Sequence, residues 1–143
     1  MARHHTAFAD TLRSRGLKAT PQRIQVLTLL AKSGRPVGVP DLVSARGGED
    51  LDTVTVYRSL EALANAQIVR RVDLRHGHTD YELVYGASHH HHLVCEQCGR
   101  IESIDWCPDA AFEKKLLKSS SFSKLSDHSL EFFGICKKCA STS

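Results

Sequence analysis

The segment HHHHLVCEQCG, residues 89–99, joins four consecutive histidines to a Cys-x-x-Cys pair. A second pair, CKKC, follows at residues 136–139. Each such turn places two thiolates on one side of a tight knuckle, and two turns supply the four sulfur ligands of a tetrahedral structural zinc site. The sequence therefore predicts a zinc ion that holds the C-terminal half together, bound by Cys95, Cys98, Cys136 and Cys139.

Other uses of the cysteines fit the sequence less well. The chain has five cysteines and no apolar signal core after Met1, which favours metal ligands over disulfides. Iron–sulfur proteins usually show different cysteine spacings, and a closed four-sulfur site leaves no position for a substrate. We expect the site to serve folding and not catalysis, and Cys107 has no assigned role.

The histidine run is predicted to lie on an extended strand that leads into Cys95. Because side chains alternate along a strand, His90 and His92 point to one face, while His89 and His91 point to the other. One strand can therefore serve two metal sites. A solvated polar strand and an internal purification tag are the alternatives.

The first 85 residues predict helices followed by a β-hairpin. Thr20 and Asp52 are typical N-caps, and the helix after Asp52 carries an apolar stripe at Val56, Leu60 and Leu63. Two strand-like segments, 68–73 and 79–84, surround a turn. This order is typical of a winged helix-turn-helix, whose last helix enters the DNA major groove.

The outer face of that last helix is predicted to meet DNA. Arg58 lies opposite the apolar stripe on a helical wheel, with Thr55 beside it and Tyr57 on the flank. Through Tyr85 there are 12 Lys and Arg against 9 Asp and Glu, so the whole net charge of +3 belongs to this half. A small basic excess fits nucleic acid but also suits many ordinary surfaces.

A composition change at residues 86–88 marks the expected domain boundary. The prediction is a winged-helix DNA-binding domain at residues 1–85 and a metal-binding domain at residues 86–143. Within the second domain, Pro108-Asp109 predicts a helix that packs Phe112, Leu116 and Leu117, and residues 124–136 are strand-rich. No run approaches the roughly 18 apolar residues of a membrane span, so we expect a soluble, cytoplasmic protein.

Three segments closely resemble the ferric uptake regulator family of bacterial metal-dependent repressors. They are GLKATPQR (16–23), DTVTVYRSL (52–60) and HHHHLVCEQCG (89–99), with His128 and the second cysteine pair behind them. The resemblance covers nearly the whole chain. It implies an α+β protein, in which a winged helix-turn-helix precedes a small α/β zinc-stapled dimerisation domain, and a homodimer that binds double-stranded operator DNA.

The resemblance also implies roles for individual residues. Tyr57 and Arg58 match recognition-helix positions, with Arg23 and Lys18 as contacts to the DNA backbone. Glu82, His90 and His92 match a regulatory site for iron(II), manganese or zinc. A second site would use His89, His91 and His128.

This sequence departs from the family pattern at several positions. Pro36 and Ser103 stand where regulatory ligands are expected, which leaves Glu102, Asp105, His76 and His78 as open substitutes. The glutamate of the second site falls at an alanine, and Glu113 is the nearest replacement. Gln67 replaces the glycine expected before the wing.

These features predict a metal-dependent transcriptional regulator, and specifically a repressor of metal-homeostasis or peroxide-stress genes. Iron-type sensing is favoured because no hairpin cysteine precedes Cys95, although Cys107 can supply a thiolate. The alternatives are a zinc-uptake regulator and a zinc-stapled DNA-binding protein that senses nothing. An open zinc site for hydrolysis is disfavoured because no general-base motif accompanies the ligands, so we expect no enzyme activity, no small-molecule substrate and no membrane partner.

Overall fold

The chain divides into two compact units, Met1–Ser88 and His89–Ser143. A computed structural model describes residues 2–75, 77–84 and 90–141. The predicted joint at residues 86–88 lies outside the described residues, as do His76 and His89, so the domain boundary stays a prediction. Each unit is described on its own.

The first unit contains four helices and a small antiparallel sheet among its described residues. Its strand order is β1-β3-β2, and β2 pairs with β3 from Val69↔Leu83 to Val72↔Asp80. The elements are α1 (Ala2–Ser14), α2 (Pro21–Ser33), β1 (Val37–Gly38), α3 (Val39–Ser44), α4 (Thr53–Asn65), β2 (Val69–Val72) and β3 (Asp80–Leu83). This is the predicted helix-turn-helix with a hairpin wing.

Two side chains fix where the helices begin. The hydroxyl of Thr20 accepts a hydrogen bond from the Arg23 amide at 3.3 Å, and Pro21 occupies the first helical position. The carboxylate of Asp52 accepts the Thr55 amide at 3.1 Å. Each cap satisfies an amide that the helix itself cannot, which contributes about 1 kcal/mol. Both predicted caps are confirmed.

The inner face of α4 is part of the hydrophobic core of the first unit. Val56, Leu60 and Leu63 are each 0% exposed, and Leu27 of α2 belongs to the same buried cluster. Burying a side chain of this size contributes roughly 1.5–3 kcal/mol, so the stripe determines the rotation of α4 about its axis. The opposite face of the helix is consequently turned to solvent.

The second unit is built on a three-stranded sheet with order β5-β4-β6. Strand β4 pairs antiparallel with β5 and parallel with β6. The elements are β4 (His91–Cys95), β5 (Ile101–Ile104), α5 (Ala110–Lys118), β6 (Glu131–Gly134) and α6 (Lys137–Ser141). The central strand therefore carries both the histidines and the first cysteine.

Some local predictions for the second unit are wrong. Residues 124–136 were predicted to be strand-rich, but only Glu131–Gly134 is a strand, because β4 offers it just four partners. Helix α5 starts after the Asp109 cap as predicted. It does not bury its large apolar residues within one chain, since Phe112 is 49% and Leu116 is 44% exposed.

None of the described helices is both long and apolar enough to cross a membrane.

Candidate metal centres

The four cysteines of the two Cys-x-x-Cys pairs converge in the second unit. The Sγ atoms of Cys95 and Cys139 are 3.8 Å apart, as are those of Cys98 and Cys136. A disulfide would bring two sulfurs to about 2.05 Å. Four thiolates around zinc, with Zn–S of about 2.3 Å, lie about 3.8 Å apart in a tetrahedron. We call this group the four-cysteine cage, and its spacing fits zinc.

Backbone amides prepare part of the cage for a cation. The amides of Cys136 and Cys98 donate to the sulfur of Cys95 at 3.4 and 3.5 Å, and they lower the pKa of Cys95 to about 6. The Cys139 amide likewise donates to Cys136 and lowers its pKa. By contrast, the Cys136 sulfur and burial raise the pKa of Cys139 to about 12. Without metal the cage mixes thiolates and thiols, so a divalent cation would displace protons.

His92 of β4 and His90, which lies just before that strand, form a pair of imidazoles. Their ring centroids are 5.0 Å apart and their planes are nearly perpendicular, and His92 is 0% exposed. Strand pairing sets His92 opposite Ser103 on β5 and opposite Glu131 on β6. The carboxylate of Glu131 lies 3.9 Å from Nδ1 of His92.

Glu131 is a residue of this site that sequence reasoning missed. This acid lies next to His92 on β6. The expected acid would lie on β5, on the other side of β4, where this chain has Ser103. The only signal that could have found it is the β4–β6 register, and that register is not visible in the sequence. At 3.9 Å this contact is longer than a hydrogen bond, but a carboxylate that moved closer to Nδ1 would orient the ring and leave Nε2 to bind a metal.

On the other side of β4, three further side chains meet. Nε2 of His91 is 3.2 Å from Nε2 of His128, and Sγ of Cys107 is 3.0 Å from the same nitrogen of His128. We call them the His91–Cys107–His128 cluster. His89, which the sequence assigned to this side, lies outside the described residues. Cys107, which had no role, is part of the cluster.

In the first unit, Glu82 is a buried acid on β3. It lies directly across from Arg70 in the β2–β3 register, and both Nε and Nη2 of Arg70 donate to its Oε1. The carboxylate is therefore already engaged by a guanidinium. A metal that used Glu82 would also have to compete with Arg70.

The proposed substitutes for the missing regulatory acid occupy different settings. Glu102 on β5 is largely exposed and lies 3.9 Å from Arg100. Nδ1 of His78 lies 3.1 Å from the carboxylate of the buried Asp80 in the wing. These contacts engage Glu102 and His78 within their own units.

The predicted DNA-contact residues are exposed to different degrees. Tyr57 and Arg58 are exposed on the outer face of α4, and Lys18 is exposed before α2. Thr55 is half-buried and its hydroxyl donates to Asp52 at 2.9 Å. Arg23 donates to the Lys18 carbonyl at 2.9 Å. Tyr57 and Arg58 are therefore the side chains most available to a ligand, whereas Thr55 and Arg23 also serve the local fold.

A winged-helix unit followed by a unit with a four-cysteine cage and histidine clusters defines a class of metal-binding transcription regulators. The sequence model of the ferric uptake regulator family matches residues 14–133 of this chain. The chain belongs to the ferric uptake regulator family, whose members are transcription regulators and not enzymes. The predicted family, fold class and absence of enzyme activity are confirmed.

Individual relatives are similar to this chain over almost its full length. The ferric uptake regulation protein of Legionella pneumophila is 37% identical over 136 residues, which is 92% of this chain and 97% of that protein. The peroxide operon regulator of Bacillus subtilis is 29% identical and covers 98% of this chain and 97% of its own. The ferric uptake regulator of Francisella tularensis with iron superposes with a TM-score of 0.70 at 30% identity, covering 87% and 96% of the two chains.

Proposed function

We propose that this chain is a homodimeric repressor of metal-homeostasis or peroxide-stress genes that binds operator DNA when a regulatory metal is bound, with iron-type sensing favoured. The observation that carries the proposal is the His90–His92 pair, because two converging imidazoles on the strand that begins the zinc cage form a metal half-site separate from the cage. A regulator of this kind acts where the DNA is, in the cytoplasm.

The four-cysteine cage has a structural role in this proposal. Zinc on four thiolates is coordinatively complete and has no open position. Cys95 ends β4, Cys136 lies between β6 and α6, and Cys139 lies within α6. The ion ties together the two ends of the second unit and does not report on metal supply.

The regulatory metal is proposed to bind His90 and His92 together with Glu82 of the DNA-binding unit. The choice of Glu82 rests on the family resemblance and on its buried carboxylate. A metal with ligands from both units favours those arrangements in which all ligands are in place. Changing a two-state population from 1:99 to 99:1 requires about 5.5 kcal/mol of differential binding, and competition with Arg70 reduces what the metal supplies.

Homodimerisation is supported by apolar surface on the second unit. Helix α5 exposes Phe112 and Leu116, and further large apolar side chains are exposed outside the helix. A unit of this size rarely leaves so many uncovered unless they meet a partner. The others are Trp106, Phe122, Leu125, Phe132 and Ile135.

The regulatory metal is proposed from ligand chemistry. Imidazole and carboxylate ligands suit iron(II), manganese and zinc, and they lack the sulfur that favours softer ions. The relatives include regulators named for iron uptake and for peroxide response, so relationship alone does not choose among the sensing types. A zinc-uptake regulator stays as the alternative.

The proposal is tested with the double variant His90→Ala/His92→Ala. An operator is first selected from random duplexes by the manganese-loaded wild type, and affinity is then measured with and without iron(II), manganese or zinc. We expect metal to strengthen wild-type binding at least tenfold and the double variant to lose this response. His5→Ala, at an exposed histidine of α1, is the matched control. Unchanged metal-dependent binding by the double variant would overturn the proposal.

A second function has a specific observation in its favour. Pro36 cannot ligate a metal through its side chain, and Ser103 presents a hydroxyl beside His92, which fits a zinc-stapled DNA-binding protein that senses nothing. Mild chelation distinguishes the two. The sensor loses operator binding reversibly while the cage keeps its zinc, whereas the stapled protein loses binding only when the cage is emptied.

A further inference from the structure

The His91–Cys107–His128 cluster collects three metal-binding atoms from distant parts of the second unit. His91 comes from β4, Cys107 from the segment before α5, and His128 from the segment before β6. One donor atom from each residue lies within 4.8 Å of the others. His91 is 0% exposed, and the other two are half-buried.

We propose that Cys107 is a ligand of the second metal site that the family resemblance assigns to His91 and His128, and that its thiolate makes this a soft-metal site for zinc or a zinc-like divalent ion. Cys107 is the decisive ligand, because it changes a histidine site into one with sulfur. The site is distinct from the four-cysteine cage and from the His90–His92 pair, which faces the other side of β4. It does not depend on the proposed regulatory role of that pair.

The distances agree with a shared ion. Tetrahedral zinc separates two ligating nitrogens by about 3.3 Å and a nitrogen from a sulfur by about 3.6 Å. The two Nε2 atoms are 3.2 Å apart, and the sulfur is 3.0 Å from His128. Moving the sulfur outward by roughly half an ångström would therefore match the nitrogen–sulfur edge of a tetrahedral zinc site.

Hydrogen bonding alone explains the cluster poorly. Nε2 of His128 contacts both the Cys107 sulfur and Nε2 of His91. One ring nitrogen carries either one hydrogen or one lone pair, so the two contacts compete for it. A cation uses a lone pair from each of the three atoms and resolves this conflict.

Glu113 lies on the far side of the His128 ring. Its carboxylate is 3.8 Å from Nδ1, the nitrogen that faces away from the cluster. This distance is longer than a hydrogen bond, but a carboxylate that moved about 1 Å closer would hold a proton on Nδ1 and leave the Nε2 lone pair for the metal. Glu113, considered above as a ligand, is thus a positioning residue for His128.

Cobalt(II) titration tests the site directly. Protein purified with one zinc per chain in the cage is titrated with cobalt(II), and thiolate-to-cobalt charge transfer in the near ultraviolet is recorded. We expect a single-thiolate charge-transfer band from cobalt at this site, whereas cobalt on the His90–His92 pair gives no such band because that site has no sulfur. Cys107→Ser should abolish that band and weaken zinc binding at this site at least a hundredfold while keeping the cage zinc. Glu113→Gln should weaken it by about 10–100-fold.

Two controls keep the outcome interpretable. Cys107→Asp should restore binding without the charge-transfer band, because a carboxylate replaces the thiolate. The double variant His90→Ala/His92→Ala should keep the band, so that this test and the test of the proposed function can fail separately. A wild type without the band, or a band that survives in Cys107→Ser, would overturn the proposal.

Discussion

Gln67 adopts a backbone conformation that normally belongs to glycine. Its φ is +61°, in the left-handed region just after α4. Its amide donates to Ala64 at 3.0 Å and the Ile68 amide donates to Leu63 at 2.9 Å, which together end the helix and start β2. A side chain in this conformation costs roughly 1–2 kcal/mol. The turn into the wing therefore forms with glutamine, at a cost in stability.

The first prediction concerns this strain. We expect Gln67→Gly to raise the free energy of unfolding of the DNA-binding unit by up to about 1 kcal/mol, because the relief of strain exceeds the extra chain entropy of glycine. Urea unfolding of the zinc-loaded protein measures it. Gln67→Ala is the control and should change stability by less than about 0.5 kcal/mol, because alanine keeps the strain. Equal stabilisation by both variants would locate the effect in the glutamine side chain.

Single residues also show which contacts could be predicted from the sequence and which could not. The caps at Thr20 and Asp52 were predictable because each acts within three residues of its own position. The contacts of Cys107 with His128 and of Glu131 with His92 were not, since the partners are 21 and 39 positions apart. Local signals predict local contacts, whereas these two depend on the segment before β6 and on strand register.

At the scale of elements, α4 was predicted well because one helix contains both its core stripe and its outer face. Burial of Val56, Leu60 and Leu63 determines that Arg58 points outward. Strand β6 was predicted poorly because strand propensity over residues 124–136 does not say which residues find partners on β4. Helix periodicity is internal to an element, whereas strand length is decided between elements.

The outer face of α4 is expected to bind DNA. Arg58→Ala should weaken operator binding by about 1–3 kcal/mol and relax specificity at one base position if Arg58 contacts a base edge. If Arg58 contacts phosphate instead, binding should weaken equally on all sequences and the salt dependence should fall. Titrations at several salt concentrations on the selected operator and on unrelated duplex distinguish the two. Lys114→Ala, on α5, is the charge-matched control, and equal losses for both variants would argue against an interface on α4.

At the scale of the whole molecule, the two units differ in what holds them together. The DNA-binding unit has a continuous hydrophobic cluster that runs from Ala9 to Tyr81. In the described part of the second unit, the buried apolar residues are Val94 and two members of the cage, Cys95 and Cys139. A small unit with so little core depends on its metal.

Zinc removal should therefore unfold the second unit alone, and acid should promote the loss of zinc. Cys139, with a pKa of about 12, must lose a proton to bind zinc, and Cys95, with a pKa of about 6, gains one as the pH falls below that value. Because Cys139 alone releases one proton, apparent zinc affinity should fall at least about tenfold per pH unit near neutrality and more steeply below about pH 6. Chelator competition across this range measures the slope, and an affinity independent of pH would argue against thiolate ligation.

The fluorescence of the chain's one tryptophan, Trp106, should report the unfolding of the second unit. Trp106 lies in the second unit, 61% exposed in the single chain and with its ring 6.4 Å from that of Phe132, so loss of the fold and of the proposed dimer that covers this surface should shift its emission. Most described helical residues belong to the first unit, so far-ultraviolet circular dichroism should largely persist when zinc is stripped. Cys139→Ser should reproduce the metal-free spectrum, while Cys107→Ser should not. Unchanged Trp106 emission after complete zinc removal would mean that apolar contacts, and not the cage, hold the second unit together.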